Sequence, residues 1–255
     1  MLLAIDTGNT HTVLGLFDGE RLAADWRIAT RKGETADELG ALLRALFAGE
    51  GLTPSSVDGV IVSSVVPDWN GILAATARRA FAKDALFVAP GIKTGLPILY
   101  ENPHEVGADR IVNAVAAVHR FGAPVIVLDF GTATTFDVVS PKGEYLGGVI
   151  APGLGISAEA LFQRAARLMR VDVKKPARII GRTTEESVQS GLFHGYVALV
   201  EGVVKRLRAE LSVDAPVVAT GGLAPVFHAE LTFLTAVDPH LTLTGLRLVW
   251  ERNHR

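Results

Sequence analysis

Two short segments carry the residue types with the clearest chemical use. In each, an apolar run ends in an aspartate, a glycine follows two residues later, and threonines come soon after: Asp6 and Gly8 in the first segment, Asp129 and Gly131 in the second. Glycine lets a ligand approach the backbone closely, N–H groups and threonine hydroxyls can hold phosphate oxygens, and a carboxylate can hold the cation that neutralises them. The pair therefore indicates two phosphate-binding loops for a nucleoside triphosphate.

The spacing of the two segments indicates an internal duplication. The two aspartates, and likewise the two glycines, lie 123 residues apart. In each copy the loop leads into a second apolar and β-branched run that closes at a turn glycine, Gly19 or Gly143, as expected for a β-hairpin. A single copy would be equally well explained as an ordinary hairpin whose Asp and Thr satisfy the loop backbone. The repeat predicts two domains, residues 1–121 and 122–255.

Apolar periodicity places alternating helices and strands after each hairpin. The elements predicted for the first half are a strand at 21–28, a helix from Thr35, a strand at 57–63, a helix from Pro67, a strand at 85–88 and a helix over 105–115. Those predicted for the second half are a strand at 144–151, a long helix at 183–211, a strand at 216–220 and a terminal helix at 241–252. The alternation predicts an α/β fold with mixed sheets.

A third group of polar residues lies in the first turns of the 105–115 helix. Gly107 is followed by Asp109 and Arg110. An acidic residue near the positive end of a helix is favourable by a few tenths of a kcal/mol to about 1 kcal/mol, so helix stabilisation explains Asp109 as well as a chemical role does. Arg110 is either an anion-binding group or a solvated helix charge.

Two further positions stand at the ends of predicted elements. Thr183 and Glu186 have the spacing of a capping box, which explains Thr183 but leaves Thr184 unexplained. Gly221 and Gly222 follow a buried strand, where they either admit a ligand to the backbone or simply end the strand.

Two glycine-containing stretches imitate nucleotide motifs without matching them. The segment that begins at Gly91 lacks the glycine that a Walker loop places directly before its lysine, here Lys93. The strand before Gly153 and Gly155 ends a hairpin instead of opening a βαβ unit, which argues against a dinucleotide fingerprint. Close backbone approach, or a cap at Ser157, explains these glycines better.

Composition narrows the class of partner. The chain has 255 residues, 49% of them apolar, a net charge of -2 and no cysteine. There is no basic field for nucleic acid or for a membrane surface, and the absence of cysteine excludes disulfides and thiolate chemistry. The seven histidines show no zinc-ligand spacing. With neither a signal peptide nor a long apolar run, we expect a cytoplasmic protein whose partners are small molecules or copies of itself.

The motifs resemble those of known kinases. The twin loops resemble the actin-like ATPase and sugar kinase superfamily, in which two ribonuclease-H-like domains each offer one phosphate loop to ATP. The loops at Asp6 and Asp129, the 107–110 segment and the 220–222 segment, in this order and in so short a chain, resemble the type III pantothenate kinase family over residues 1 to about 251. The resemblance implies ATP-dependent phosphorylation of pantothenate to 4'-phosphopantothenate, the first step of coenzyme A biosynthesis.

The same resemblance implies roles for individual residues. Asp109 would be the general base, Mg²⁺ would accompany ATP near Asp6, and Asp129 would bind a monovalent cation, K⁺ or NH₄⁺. The implied ATP-binding residues are Asp6, Thr7, Gly8, Asn9, Thr10, His11, Thr12, Val13, Gly131, Thr132, Gly221 and Gly222. The implied pantothenate-binding residues are Tyr100, Gly107, Ala108, Asp109, Arg110 and Thr184, with Thr184 supplied by the other subunit of a homodimer. Thr7 departs from the family, which often has an apolar residue there.

Two alternatives stay open on the sequence. One is another small-molecule kinase of the superfamily. The other is a non-catalytic, nucleotide-binding regulatory paralogue. Loss of the general base would identify such a protein, but here Asp109 is present.

Overall fold

The structure is a computed structural model that describes residues 1–165, 168 and 170–254. Within these residues the strands are β1 (Leu2–Thr7), β2 (His11–Asp18), β3 (Arg21–Ala29), β4 (Gly59–Ser64), β5 (Ala85–Phe87), β6 (Val125–Phe130), β7 (Ala133–Val139), β8 (Tyr145–Pro152), β9 (Val217–Thr220) and β10 (Leu234–Val237). The α-helices are α1 (Ala36–Gly49), α2 (Pro67–Phe81), α3 (Ala108–Phe121), α4 (Leu154–Arg164), α5 (Thr184–Leu211), α6 (Ala224–Phe227) and α7 (Leu241–Asn253). Short 3-10 turns lie at Pro54–Ser56 and Pro103–Glu105.

The two five-stranded sheets have the same topology. The first has the order β3-β2-β1-β4-β5, and the second, read from the corresponding edge, has the order β8-β7-β6-β9-β10. In each sheet the hairpin strands pair antiparallel and the other two strands add in parallel. Asp6 pairs in register with Ser63 of β4, and Asp129 pairs in register with Thr220 of β9. This correspondence, strand by strand, confirms the predicted α/β class and the duplication.

Each sheet has its own apolar core. Alternate residues of β1 and β2, such as Leu3 and Leu14, pack with one face of α1 and α2. In the second sheet, β6 and β9 pack against α5, whose buried residues Phe193, Tyr196 and Val200 recur at helical spacing.

Contacts divide the chain into two compact units that differ from the predicted domain ranges. One unit is Met1–Arg120 together with the segment that begins at His240, and the other is Phe121–Pro239. The sequence assigned α7 to the second half, but α7 packs on the first sheet. A Cβ at Gly15 of β2 would lie 2.8 Å from a methyl carbon of Leu243, so the glycine gives α7 room to approach the strand closely.

Local signals explain where the helices begin. Thr35 caps α1 through a complete capping box, in which its hydroxyl accepts from the N–H of Glu38 and the Glu38 carboxylate accepts from the N–H of Thr35. At α5 the box is incomplete. Thr183 accepts from the N–H of Glu186 at 3.1 Å, but the Glu186 carboxylate accepts from the N–H of Arg182.

None of the helices within the described residues has the length and apolar character needed to cross a membrane.

Candidate active site

The first phosphate loop is a tight connection between β1 and β2. The N–H of Gly8 donates to the carbonyl of His11 at 3.0 Å, which closes the turn. Asn9, Thr10 and His11 at its tip are exposed, and Asp6 is half-buried below them. The loop therefore presents exposed polar groups above a carboxylate, as a phosphate-binding loop requires.

Two threonines of this loop face inward. Thr7 and Thr12 are fully buried, with their hydroxyl oxygens 3.4 Å apart, and the Thr12 hydroxyl also bonds that of Thr30 at 3.0 Å. Burial of a hydroxyl is costly unless it is hydrogen-bonded. The Thr7 hydroxyl is accommodated in this buried position because Thr12 supplies a hydrogen-bonding partner.

Sequence reasoning missed a buried hydroxyl beside Asp6. Ser63, the register partner of Asp6 on β4, is fully buried, and among the described residues its Oγ finds no hydrogen-bond partner. Neighbouring residues in register on parallel strands project from the same face of a sheet. The sequence signal for Ser63 is a polar residue near the end of an otherwise apolar strand.

Asp109 lies in the first turn of α3, as predicted, and its carboxylate is folded back onto the helix start. The Asp109 Oδ1 accepts from the N–H of Arg110 at 2.8 Å. A Cβ at Gly107 would lie 2.5 Å from the same oxygen, so position 107 must be glycine for the carboxylate to take this position. Burial raises the pKa of Asp109 above its usual value, against the smaller lowering effects of the Arg110 N–H and guanidinium.

The Asp109 turn and the first phosphate loop meet the same end of the first sheet. Val65 follows β4, and its N–H donates to the carbonyl of Thr7 at 3.1 Å. A methyl carbon of Val65 lies 3.5 Å from the Cβ position of Gly107. Val65 therefore lies between the first phosphate loop and the Asp109 turn, the two groups of site residues predicted in the first unit.

A cavity of about 470 Å³ opens beside this turn. Its lining is mainly apolar, with Val65, Ile98 and Ile111, and it includes Gly107 and Ala108 of the predicted pantothenate segment. Its described lining does not include Tyr100, which is half-buried nearby in sequence. A cavity with a few polar groups at one edge suits a small organic substrate.

The second phosphate loop is closed in the same way as the first. The N–H of Gly131 donates to the carbonyl of Ala133, and the N–H of Gly153 donates to the carbonyl of Thr132, both at 3.1 Å. Gly131 and Thr132 are exposed, and Asp129 is half-buried. The structure therefore places the predicted hydroxyl and glycine of this loop where a ligand could reach them.

Gly221 stands directly against Asp129. Its φ is +89°, and a Cβ there would lie 2.5 Å from the Asp129 Oδ1 and 2.6 Å from the carbonyl oxygen of Phe130. This position therefore requires glycine for both conformation and space. The carboxylate and the carbonyl oxygen together form a cradle of the oxygen ligands that hard cations prefer.

Tyr196 of α5 is a second residue that sequence reasoning missed. It is largely buried, and its hydroxyl bonds the hydroxyl of Thr134 and the backbone of Leu154. Burial raises the pKa of the Tyr196 phenol, the bonds to Thr134 and Leu154 lower it, and the charge of Asp129 raises it further. A tyrosine within a long helix carries no sequence signal for such a role.

Thr184 is exposed at the start of α5, in the second compact unit. It lines an open groove of about 810 Å³ with Thr183, Arg182 and the apolar residues Leu161 and Leu192. It does not line the cavity beside Asp109.

Any divalent ion here would need ligands beyond protein carboxylates. Within the described residues there is no cluster of three or more His, Asp or Glu side chains that could hold a metal. Asp6 and Asp129 each fit a cation that is completed by phosphate oxygens, carbonyls and water, which is how Mg²⁺ is commonly bound with nucleotides.

The sequence profile of type III pantothenate kinases matches residues 2–206. The chain belongs to the type III pantothenate kinase family. Proteins named as type III pantothenate kinase from Myxococcus xanthus and Geobacter sulfurreducens are each 55% identical over 254 residues, covering at least 99% of both chains. One from Koribacter versatilis is 54% identical over 263 residues, covering 99% of this chain and 96% of its own. The predicted family is confirmed, and with it an enzyme class, the phosphotransferases.

Solved structures of more distant proteins share the fold. A supposed Baf family transcriptional activator from Campylobacter jejuni has a TM-score of 0.62 at 16% identity, covering 99% of this chain and 98% of its own. The ROK hexokinase from Thermus thermophilus has a TM-score of 0.50 at 17% identity, covering 100% of this chain and 99% of its own. At these identities the likeness concerns the fold alone, and it agrees with two duplicated actin-like domains.

Proposed function

We propose that this chain transfers the γ-phosphoryl group of ATP to the hydroxyl of pantothenate, forming 4'-phosphopantothenate in the first step of coenzyme A biosynthesis. Family membership supports the reaction. The observation that supports this site for it is the position of Asp109, whose carboxylate lies in the helical turn directly after Gly107 and Ala108, two residues that line the cavity of about 470 Å³. A loose phosphoryl-transfer transition state needs mainly a positioned nucleophile and neutralised charge. The chain carries groups suited to both tasks.

Asp109 acts as the general base in this proposal. Its carboxylate accepts the proton of the pantothenate hydroxyl as the oxygen attacks the γ-phosphorus and ADP leaves. Because burial raises its pKa, the ionised carboxylate is a stronger base than an ordinary aspartate. Arg110, which is buried beside it, supplies positive charge for the anionic substrate or the migrating phosphoryl group.

We assign the ATP phosphates to the two loops. The exposed Asn9, Thr10 and His11 of the first loop, and Gly131 and Thr132 of the second, offer the polar groups. The remaining implied ATP-binding residues, Thr7, Gly8, Thr12, Val13, Gly221 and Gly222, shape these segments. Because Thr7 and Thr12 are buried, we assign them to the support of the loop.

The two aspartates hold the cations in this proposal. As a kinase, the chain uses ATP with a divalent metal, and we assign Mg²⁺ to the neighbourhood of Asp6. We assign K⁺ or NH₄⁺ to the cradle formed by Asp129 and the Phe130 carbonyl beside Gly221. Both ions would neutralise phosphate charge.

The rest of the pantothenate site spans two subunits in this proposal. Tyr100, Gly107 and Ala108 bind the vitamin within one chain, and Thr184 comes from the other chain of a homodimer. The apolar rim of the Thr184 groove, with exposed Ile179 and Ile180 close in sequence, is of the kind that a second copy would cover. We place the reaction in the cytoplasm.

Product formation tests the assignment. Purified protein is incubated with Mg²⁺, ATP and pantothenate in potassium and in sodium buffers, and phosphopantothenate is measured by mass spectrometry, with Asp109→Asn alongside. We expect potassium-dependent product that the variant lacks. A folded, ATP-binding protein that forms no product in either salt would reject the kinase assignment and favour the regulatory paralogue.

A further inference from the structure

The buried hydroxyl of Tyr196 joins two segments through residues that are assigned neither to ATP nor to pantothenate. One partner is the hydroxyl of Thr134 at the start of β7, and the other is the backbone of Leu154 at the start of α4. Both are in the second compact unit, as is Tyr196. A single phenol thus connects three elements.

These two partners flank the second phosphate loop. Phe130, which ends β6, pairs in register with Thr134, so the loop is the short connection between them. Leu154 follows Gly153, whose N–H donates to the loop carbonyl of Thr132. A shift of either partner would therefore move the loop backbone.

The tyrosine ring is held firmly, so its hydroxyl has a fixed position. Its centroid lies 5.1 Å from that of Phe227 and 6.1 Å from that of Phe130, within the apolar core of the unit. Aromatic contacts at these distances are favourable. The side chain acts as a rigid support reaching from α5 to the loop.

The two phosphate loops differ in the residue that bonds the threonine hydroxyl next to each loop. Thr12 occupies the position of Thr134, because each pairs in register with the residue that follows the loop aspartate. Thr12 finds its partner in Thr30, immediately beyond β3 of the same sheet. In the second loop this partner is replaced by a residue of α5, the helix that carries Thr184.

We propose that Tyr196 is a positioning residue that sets the geometry of the second phosphate loop and thereby the affinity for the nucleotide phosphates and the accompanying monovalent cation. The proposal rests on the assignment of this loop to ATP. Tyr196 acts through Thr134 and Leu154 and does not touch substrate.

Tyr196→Phe tests this, because it removes the hydroxyl and keeps the ring. We expect the dissociation constant of Mg-ATP, measured by titration calorimetry without pantothenate, to rise about threefold to tenfold, the range of one buried hydrogen bond. The potassium concentration for half-maximal activity should rise similarly. The KM for pantothenate should stay within about twofold, because the Tyr196 hydroxyl bonds Thr134 and none of the residues assigned to pantothenate.

Tyr145→Phe is the matched control. The Tyr145 hydroxyl is also buried and donates at 2.7 Å to the carboxylate of Asp137, a residue that does not belong to the loop. Its loss should lower the unfolding temperature but leave nucleotide affinity unchanged. Thr134→Val removes the other half of the bond, so it should reproduce the effect of Tyr196→Phe, and the double variant should bind ATP no more weakly than the worse single variant.

The outcomes separate this inference from the proposed function. Wild-type protein that binds ATP but makes no phosphopantothenate would remove the reaction and leave the Tyr196 inference intact. Unchanged ATP affinity in folded Tyr196→Phe or Thr134→Val would overturn the inference. It would also be overturned if Tyr145→Phe weakened ATP binding equally, or if the two single effects were additive.

Discussion

At the scale of single residues, the burial that suits Asp109 to the proposed role of general base has a cost in stability. A carboxylate whose pKa is raised by burial resists ionisation in the folded state, whereas the unfolded chain ionises near the ordinary value. Folding stability from this group is fully present below the ordinary aspartate pKa and is lost as the pH rises through the raised pKa. The same ionisation is needed for the residue to act as a base.

Asp109→Asn should therefore lower activity and raise stability together. We expect kcat to fall by about 10²-fold or more, the usual contribution of a general base. At pH 7 the variant should unfold at the same or a higher temperature than the wild type, and this advantage should disappear near pH 4. Activity of the wild type should decline as the pH falls through the raised pKa. Thermal unfolding measured across pH tests the predicted stability difference, and initial rates across pH test the predicted loss of activity.

Asp68→Asn is the matched control, since Asp68 is also the second residue of its helix, α2, but is exposed. It should lose a few tenths of a kcal/mol of helix stabilisation and no activity. A destabilised Asp109→Asn protein at pH 7 would contradict the stability cost expected from the burial of the Asp109 carboxylate.

The sequence predicted the local position of the candidate site residues better than the environment of their side chains. Asp109 was placed correctly in a first helical turn, because capping and periodicity are local signals. Its burial was not predictable, since Val65 and the cavity beside it come from a distant strand and loop. Ser63 and Tyr196 were missed for the same reason: each owes its position to pairing or packing over a long sequence separation.

At the scale of elements, the strand-to-helix connection at Gly153 is a support of the second phosphate loop. A Cβ at Gly153 would overlap the carbonyl oxygens of Thr132 and Gly131, whereas a Cβ at Gly155 meets no described atom within 4 Å. The two glycines resemble a dinucleotide fingerprint in sequence, but only one of them is required by its surroundings. Its function is close packing of α4 on the loop.

Gly153→Ala and Gly155→Ala should consequently have opposite effects. The first should destabilise the protein by about 2 kcal/mol, as overpacking typically does, and weaken ATP binding because the loop must move. The second should leave binding unchanged and stabilise α4 by up to about 1 kcal/mol, since alanine is the better helix former. Chemical denaturation and ATP titration of the two variants provide the comparison, and equal effects would contradict it.

The elements themselves were largely predictable from the sequence. The hairpins, α1, α2 and α5 begin where turn glycines, the Thr35 box, Pro67 and the Thr183 cap indicate. The sheet on which α7 packs was not predictable, because the apolar face of this helix, with Leu243 and Leu246, could pack on either sheet. Glycines in distant strands, Gly15 of β2 and Gly59 of β4, leave the space that α7 fills on the first sheet.

At the scale of the whole molecule, a shared active site has a clear signature in mixed dimers. If Thr184 serves the Asp109 of the other chain, a dimer of one Asp109→Asn chain and one Thr184→Glu chain contains one intact site and one doubly altered site. Glutamate at position 184 should repel the anionic vitamin, yet it suits the first turn of α5.

We expect each variant alone to be nearly inactive and the mixture, after subunit exchange, to recover about a quarter of wild-type activity, because half of the dimers are mixed and each has one working site of two. Analytical ultracentrifugation checks the dimer, and phosphopantothenate formation checks recovery. A mixture no more active than its parts would place Thr184 outside a shared site.

The position of α7 also has a consequence for the order in which the protein can form. The strands of the first sheet are synthesised early, but α7, which packs against glycines of this sheet, is synthesised after the ten strands that the structure describes. Domains usually fold in the order in which they leave the ribosome. Here the half that is made first must wait, incompletely covered, until the other half has been translated, so the N-terminal unit is the last to be finished.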